Sequence, residues 1–260
     1  MKDLLKLFFL CALISGCASI KTHTPLSLSV EKFVSQQKKR GSVLDGVSGL
    51  LQVRYTLRNL SMAGGAKWVK FKNRSRFEVS DPMGRVRYWL LKDAQTSIAF
   101  YETEKQAYLA EQDGFLYFKR FFNLPLSHED VLKLWVGILP DSWLQKFPSH
   151  WESERSGYQA RIELESGSVS FNVSDQNGLL SEIHWKSGSR EIRVSYSDFD
   201  ACCATDQGES TLAHVVVIKL PDASEKIELE WEELNILDQA PNPLAWSRKL
   251  PKGTRTIRLN

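Results

Sequence analysis

The chain has 260 residues, a formal net charge of +3, 42% hydrophobic residues and four cysteines. That length suits one large β domain or two small ones, and it is ample for a buried core. Basic residues are dispersed along the chain with no patch pattern or RNA-binding signature, so nucleic acid is excluded as an expected partner.

Lys2 and Lys6 precede an apolar run from Leu7 to Ile14, after which come Ser15, Gly16 and Cys17. A basic start, a short apolar core and small residues before a cut site make an export signal. The run is too short for a membrane span, which needs about 20 apolar residues. Leu13-Ile14-Ser15-Gly16-Cys17 resembles the lipobox of bacterial lipoproteins. The resemblance implies that residues 1–16 are removed, that Cys17 is acylated, and that the chain faces the periplasm from a membrane. An ordinary signal peptide ending beside a chance cysteine is the alternative. Several acyl chains, at about 0.8 kcal/mol per buried methylene, make a lasting anchor. Residues 17–28, with Ser, Thr, Lys and Pro25, then read as an extended tether.

A helix follows, with Val30, Phe33, Val34 and Gln37 on one face and Arg40-Gly41 as its expected stop. After Gly49 the period becomes two. Leu51, Val53, Tyr55 and Leu57 alternate with polar residues, Met62 to Gly65 reads as a turn, and Val69 and Phe71 alternate with Lys70 and Lys72. Phe77 and Val79 continue the pattern. Asp81-Pro82-Met83-Gly84 is turn chemistry, and Val86 to Leu90, Ile98 to Tyr101 and Gln106 to Leu109 extend the meander. Phe115 to Phe122 is dense in aromatics. Ser127 caps a further helix carrying Val131, Leu134, Trp135 and Ile138, with Asp130 completing an approximate capping box and Gly137 and Pro140 bounding the segment.

Strands then resume at 160–164, 169–173, 183–185, 192–196, 216–220 and 227–231, separated in places by turns such as Asn177-Gly178 and Ser187-Gly188. Asp198 to Leu212 reads as a surface loop. It carries Cys202 and Cys203, the two cysteines left once Cys11 departs with the signal and Cys17 takes lipid. Neighbouring cysteines rarely bond, because bridged Cα atoms sit farther apart than consecutive ones. A redox switch or soft-metal site lacks a CxxC or a nearby His. After Leu237, Pro241, Pro243 and Pro251 mark an irregular arm, and Thr256 to Leu259 adds a last strand. No repeat or linker divides the strands, so one domain is expected.

Catalytic patterns are missing: no GxSxG, HExxH, Walker loop or dinucleotide turn is present. Histidines 23, 128, 150, 184 and 214 lack metal-ligand spacing, and no metal is expected. The acids at 228, 230, 232 and 233 mark a solvated strand face. What stands out is the apolar face. Phe71, Phe77, Tyr88, Phe100, Phe171, Trp185, Tyr196 and Trp231, with Val53 and Tyr55 beside them and Trp135 on the helix opposite, are its candidate lining. A packed core accounts for any one of them. A strongly curved sheet, however, needs helices to cover its concave face, and only two or three are available. A hydrophobic hollow between sheet and helices is expected, of the kind that accepts lipid-like ligands.

These segments resemble the LolB family of outer-membrane lipoproteins, which receive other lipoproteins from the periplasmic carrier LolA. Asp81-Pro82-Met83-Gly84-Arg85 resembles the family's short loop between two strands. Asn123-Leu124-Pro125-Leu126 and the helix through Leu134 to Pro140 resemble its lid, and Ile183-His184-Trp185 through Tyr196 to Asp200 its late strand pair. The likeness spans residues 30–237, in order. Met83 replaces the family's tip leucine, the Cys202-Cys203 loop is inserted, and residues 238–260 extend past the usual end.

The resemblance implies a mainly β (α+β) fold: a single curved antiparallel sheet forming a half-barrel with an α-helical lid, over residues 29–260. It implies a cavity for the acyl chains of lipoproteins in transit, with Pro82, Met83 and Gly84 as the membrane-insertion loop. The partners implied are the lipid bilayer, lipoprotein acyl chains and a LolA-like periplasmic carrier. The protein would act as a monomer with no cofactor beyond the covalent lipid on Cys17. Ala18 stands where enterobacterial inner-membrane lipoproteins carry aspartate, which places the expected anchor in the bacterial outer membrane. The alternative is a non-transporting lipoprotein of the same fold, acting as adaptor or assembly factor. A lipid-modifying enzyme ranks behind both, since no nucleophile and base can be named.

Overall fold

The computed structural model describes residues 28–58, 60–111, 126–154, 157–165, 167–205, 208–247 and 249–259. Cys17, the tether through residue 27 and the Phe115–Phe122 cluster lie outside them.

Helix α1 (Val30–Val43) starts where the Ser29 side chain accepts from the Lys32 amide at 3.2 Å. It runs two residues past Gly41, which is no stop. Then come β1 (Gly46–Leu57), β2 (Leu60–Phe71), β3 (Arg74–Ser80), β4 (Val86–Lys92), β5 (Thr96–Tyr101) and β6 (Gln106–Glu111). Helices α2 (His128–Leu134) and α3 (Asp141–Leu144) follow. The second half is β7 (Glu152–Glu154), β8 (Gly157–Leu164), β9 (Gly167–Ser174), β10 (Leu180–Ser187), β11 (Arg190–Thr205), β12 (Gly208–Leu220), β13 (Glu225–Ile236) and β14 (Arg255–Leu259). Among the described residues the fourteen strands form one open, curved sheet in the order β14-β6-β5-β4-β3-β2-β1-β13-β12-β11-β10-β9-β8-β7. Helices α2 and α3 cover its concave side, where most buried side chains form one continuous core.

Two segments expected to be irregular are strand. Met62 to Gly65 belongs to β2, paired with β1 as Met62↔Tyr55 and Gly64↔Val53, and the actual turn lies at Arg58 with φ 51°. A Cβ on Gly64 would overlap the Ser80 carbonyl oxygen, so the glycine serves close approach of backbone rather than a turn. Residues 198–205 and 208–212 lie in the paired strands β11 and β12, so Cys202 and Cys203 fall inside β11. Asp198 adopts φ 49°, and this kink brings Tyr196 and Phe199, three residues apart, against the same side of Gly137. Such a break hides the alternation from sequence.

Partners across the ladder share a face, and the pairing fixes which residues turn inward. One inward row is Trp68–Phe77–Leu90–Ala99–Tyr108, and another is Val53–Leu229–Val216–Tyr196. In β2 the inward set is therefore Ala66, Trp68 and Lys70. Phe71 is outward, paired with Gly46 and Arg74, with the Lys72 ammonium 5.7 Å from its ring. Phe100 is outward too. It packs with Trp89 and Ala107 in a separate convex cluster beneath Leu250. In β13 a bulge sets Trp231 opposite Leu51 but Glu233 opposite Leu50, and the extra residue turns Leu234 back to the core.

The C-terminal arm explains that convex cluster. The Ala245 carbonyl accepts from Arg76 Nη1 at 2.6 Å, Leu250 covers Trp89 and Phe100, and β14 then joins β6 in parallel, Ile257 opposite Tyr108. Every other pair among the described strands is antiparallel; this one is parallel because the arm supplies the crossover such pairing requires. Phe100→Ala should cost about 3 to 4 kcal/mol by urea unfolding, in the range for emptying a buried aromatic site. Acyl-probe affinity should stay unchanged, since the side chain is on the wrong face to touch a ligand.

Candidate functional site

The concave cover is built locally. In α2 the Ser127 hydroxyl accepts from the Asp130 amide at 3.1 Å while Asp130 Oδ2 accepts from the Ser127 amide at 3.1 Å, a full capping box. The helix stops at Gly137, in the left-handed region at φ 76°, and the Ile138 amide donates back to the Lys133 carbonyl at 2.9 Å. A side chain at Gly137 would press on Ala213, Phe199 and Tyr196. The Trp135 ring sits 4.9 Å from that of Phe77, and Trp231 Nε1 donates to the Trp135 carbonyl at 3.3 Å. At the other end of the cover, Trp143 and Phe147 rest on Phe171, and Phe33 rests on Phe147.

Polar contacts fasten this cover. Lys70, buried on the sheet, donates to the Leu44 carbonyl at 3.0 Å and pairs with Asp45 at 3.2 Å. Lys133 on α2 pairs with Asp141 at 2.8 Å, and Glu129 lies within 4.0 Å of Lys70 and 3.8 Å of Lys133. Gln37 Oε1 accepts from the buried Leu139 amide at 2.9 Å, which ties α1 to the segment after α2. Sequence patterning placed Gln37 on the buried face of α1, beside Val30 and Phe33, but missed Lys70, since a lone polar residue in a strand ordinarily faces solvent.

Val53, Tyr55, Phe77, Tyr88, Phe171, Trp185, Tyr196 and Trp231 all lie on the concave side, with Trp135 opposite; Phe71 and Phe100 do not. The concave residues divide into two sets. Phe77, Phe171, Trp185, Tyr196 and Trp231 are buried in the core. Val53, Tyr55 and Tyr88 are only half-buried, as are Val79, Tyr101, Ile192, Ile218 and Ile227. These form an apolar strip toward the end of the sheet that carries the turns at Arg58, 81–85 and 221–224. Tyr101 and Tyr108 were hidden because both phases of their strands are apolar; with Tyr88 they make a run of rings spaced 4.9 and 5.8 Å.

Among the described residues, two donors on this face have no hydrogen-bond partner: the buried Tyr196 hydroxyl and Trp185 Nε1. Burial pushes the Tyr196 phenol well above its ordinary pKa. It is therefore a neutral donor at any physiological pH. An unmade buried hydrogen bond costs about 1 to 3 kcal/mol, so each site favours a ligand carrying an acceptor. No cluster of His, Cys, Asp and Glu suited to a metal ion occurs among the described residues.

The turn between β3 and β4 is tightly organised around Asp81. Its Oδ1 accepts from the amides of Met83 and Arg85, both at 3.0 Å, and its Oδ2 from Arg85 Nε and Arg87 Nε, both at 2.9 Å. Gly84 takes φ 77° and donates to the Asp81 carbonyl at 2.8 Å. The result is a fixed turn with Met83 79% exposed at its tip. Desolvation pushes the Asp81 carboxyl up, but hydrogen bonds from Arg85, Arg87 and the Met83 amide outweigh it and hold the pKa at about 2. The unfolded value is about 3.9, so the turn keeps this support above pH ~4 and loses it as pH falls toward 2. Amide exchange at Met83 and Arg85 should accelerate over that window. Asp81→Asn should show the same acceleration at neutral pH.

No protein-family profile matches the sequence, and no curated protein matches it significantly. Solved structures do. A LolA superfamily protein from Nitrosomonas europaea superposes with a TM-score of 0.53 at 12% identity, over 82% of this chain and 96% of that one. A DUF1329 family protein from Desulfovibrio piger gives 0.56 at 10% identity, over 84% and 97%. A putative outer membrane lipoprotein-sorting protein domain from Vibrio parahaemolyticus gives 0.54 at 8% identity, over 82% and 95%. At these identities the likeness is one of fold: the chain has the LolA-like architecture of an open curved sheet with few helices.

Proposed function

We propose that the protein is a lipid-anchored receptor of the bacterial outer membrane, similar to LolB, that binds acyl chains of lipoproteins and helps insert them into the bilayer. The observation that carries this reading is the half-buried apolar strip on the concave face, which runs from under α2 toward the turn that exposes Met83. Such a strip suits hydrocarbon. The donors Tyr196 and Trp185, which lack partners among the described residues, suit the ester or amide carbonyls at the head of an acyl chain. The protein acts by binding and not by catalysis, needs no cofactor, and receives cargo from a LolA-like periplasmic carrier. Transfer follows from relative affinity: cargo enters because this face holds it better than the carrier does, and leaves because the bilayer holds it better still.

The test uses the soluble Cys17→Ala chain. Mass spectrometry of the purified protein should recover acylated species, and a fluorescent acyl probe should bind saturably and be displaced by them. A chain that unfolds cooperatively, carries no lipid and binds no probe belongs instead to an adaptor with a filled core. In cells, Cys17→Ser should abolish incorporation of labelled palmitate; persisting label would remove the anchor from the reading.

A further inference from the structure

We infer that the tip of the β1–β2 hairpin is a second bilayer-contact element, which docks on phospholipid together with Met83 as one apolar ledge. This rests on the membrane role proposed above and goes beyond the single turn. Among the described residues the large apolar side chains left exposed are Leu50, Leu60, Met62 and Met83. Leu60 is 72% exposed and Met62 64%, and both occupy the same end of the sheet as Met83. Pairing between β2 and β3 begins only at Gly65↔Ser80, so Leu60 to Gly64 overhang the neighbouring strand. Gly64 admits the Ser80 carbonyl, which seats the Met83 turn against the base of that overhang.

The ledge lies on the same side of the sheet as the binding strip, past its end. Met62 pairs with Tyr55 and Leu60 with Leu57, which places both on the concave side, beyond Val53. The hairpin is also held: the Arg58 amide donates to the Ser224 carbonyl at 3.1 Å. Exposed Arg58 and Arg85 flank the apolar tips. Among the acids at this end, Asp81 is engaged by Arg85 and Arg87, Asp222 accepts from the Glu191 amide, and Glu225 lies beside Tyr55. Apolar tips between arginines match an anionic phospholipid surface. A partner strand fits the overhang poorly, because the Met83 turn already occupies its edge at Gly64.

The test places an environment-sensitive fluorophore at Met62→Cys, Met83→Cys or Leu50→Cys, in a Cys202→Ser/Cys203→Ser background. The acylated full chain is reconstituted in phosphatidylethanolamine–phosphatidylglycerol vesicles containing nitroxide-labelled lipid. Positions 62 and 83 should be quenched at least threefold more than position 50, which is on the convex face. Quenching at 83 with position 62 matching position 50 would overturn the hairpin contact and leave the proposed function standing. Quenching at neither would overturn both the ledge and the membrane role of the turn. A Leu60→Glu/Met62→Glu chain should release a fluorescent acyl cargo to these vesicles at least fivefold more slowly, with probe affinity within twofold of wild type. Equal loss of affinity and release would assign the hairpin to the binding face and overturn the inference.

Discussion

Trp135→Ala should weaken binding of a fluorescent acyl probe at least tenfold and lower the unfolding free energy of the chain by about 2 to 4 kcal/mol. The Trp135 ring is the piece of the cover that rests on Phe77, next to half-buried Tyr88, and the Trp135 backbone carbonyl accepts from Trp231 Nε1. Removing the ring leaves Phe77 and Tyr88 without an apolar roof, and water then competes with the acyl chain over the strip. Trp135→Phe keeps a ring there and should restore most of the affinity. Probe titration with urea unfolding of the same proteins separates the two effects. Full stability loss with unchanged binding would place Trp135 in the core and not at the ligand.

Met83→Glu should slow delivery of cargo to liposomes at least tenfold while leaving capture within twofold of wild type. Burying a methionine side chain in hydrocarbon is worth about 1.5 to 3 kcal/mol, and about 1.4 kcal/mol corresponds to a factor of ten. A carboxylate at the same tip adds an unfavourable desolvation term. The effect is confined to delivery because Met83 makes no core contact, being 79% exposed on a turn fixed by Asp81. Stopped-flow transfer from a carrier into vesicles measures both steps. Equal loss of both, or loss of neither, would take Met83 out of the mechanism.

The sequence by itself determined the features whose causes are local. Alternation at Leu51, Val53 and Tyr55 demands a strand with one buried face. Ser127 and Asp130 satisfy the first amides of α2 whatever lies beyond it, and Asp81 to Gly84 contains every group that folds its turn. The mainly β class, the lid helix and the exposed Met83 were legible for that reason.

What tertiary structure alone decided was the choice of face wherever both phases were apolar. Between Trp68 and Phe71, period two permits either Trp68 and Lys70 or Val69 and Phe71 to point inward. Hydrophobicity favours Val69 and Phe71. Trp68 and Lys70 turn inward instead because Asp45, the Leu44 carbonyl and Glu129 gather around the Lys70 ammonium, groups that sequence distance separates from it. Phe100 turned outward likewise because an arm some 150 residues later brings Leu250 to cover it. The kink at Asp198 and the bulge opposite Leu50 shift the phase of long strands without changing composition. Periodicity reports that one face is buried; only partners from distant parts of the chain determine which face it is, because a buried side chain needs a neighbour of matching chemistry.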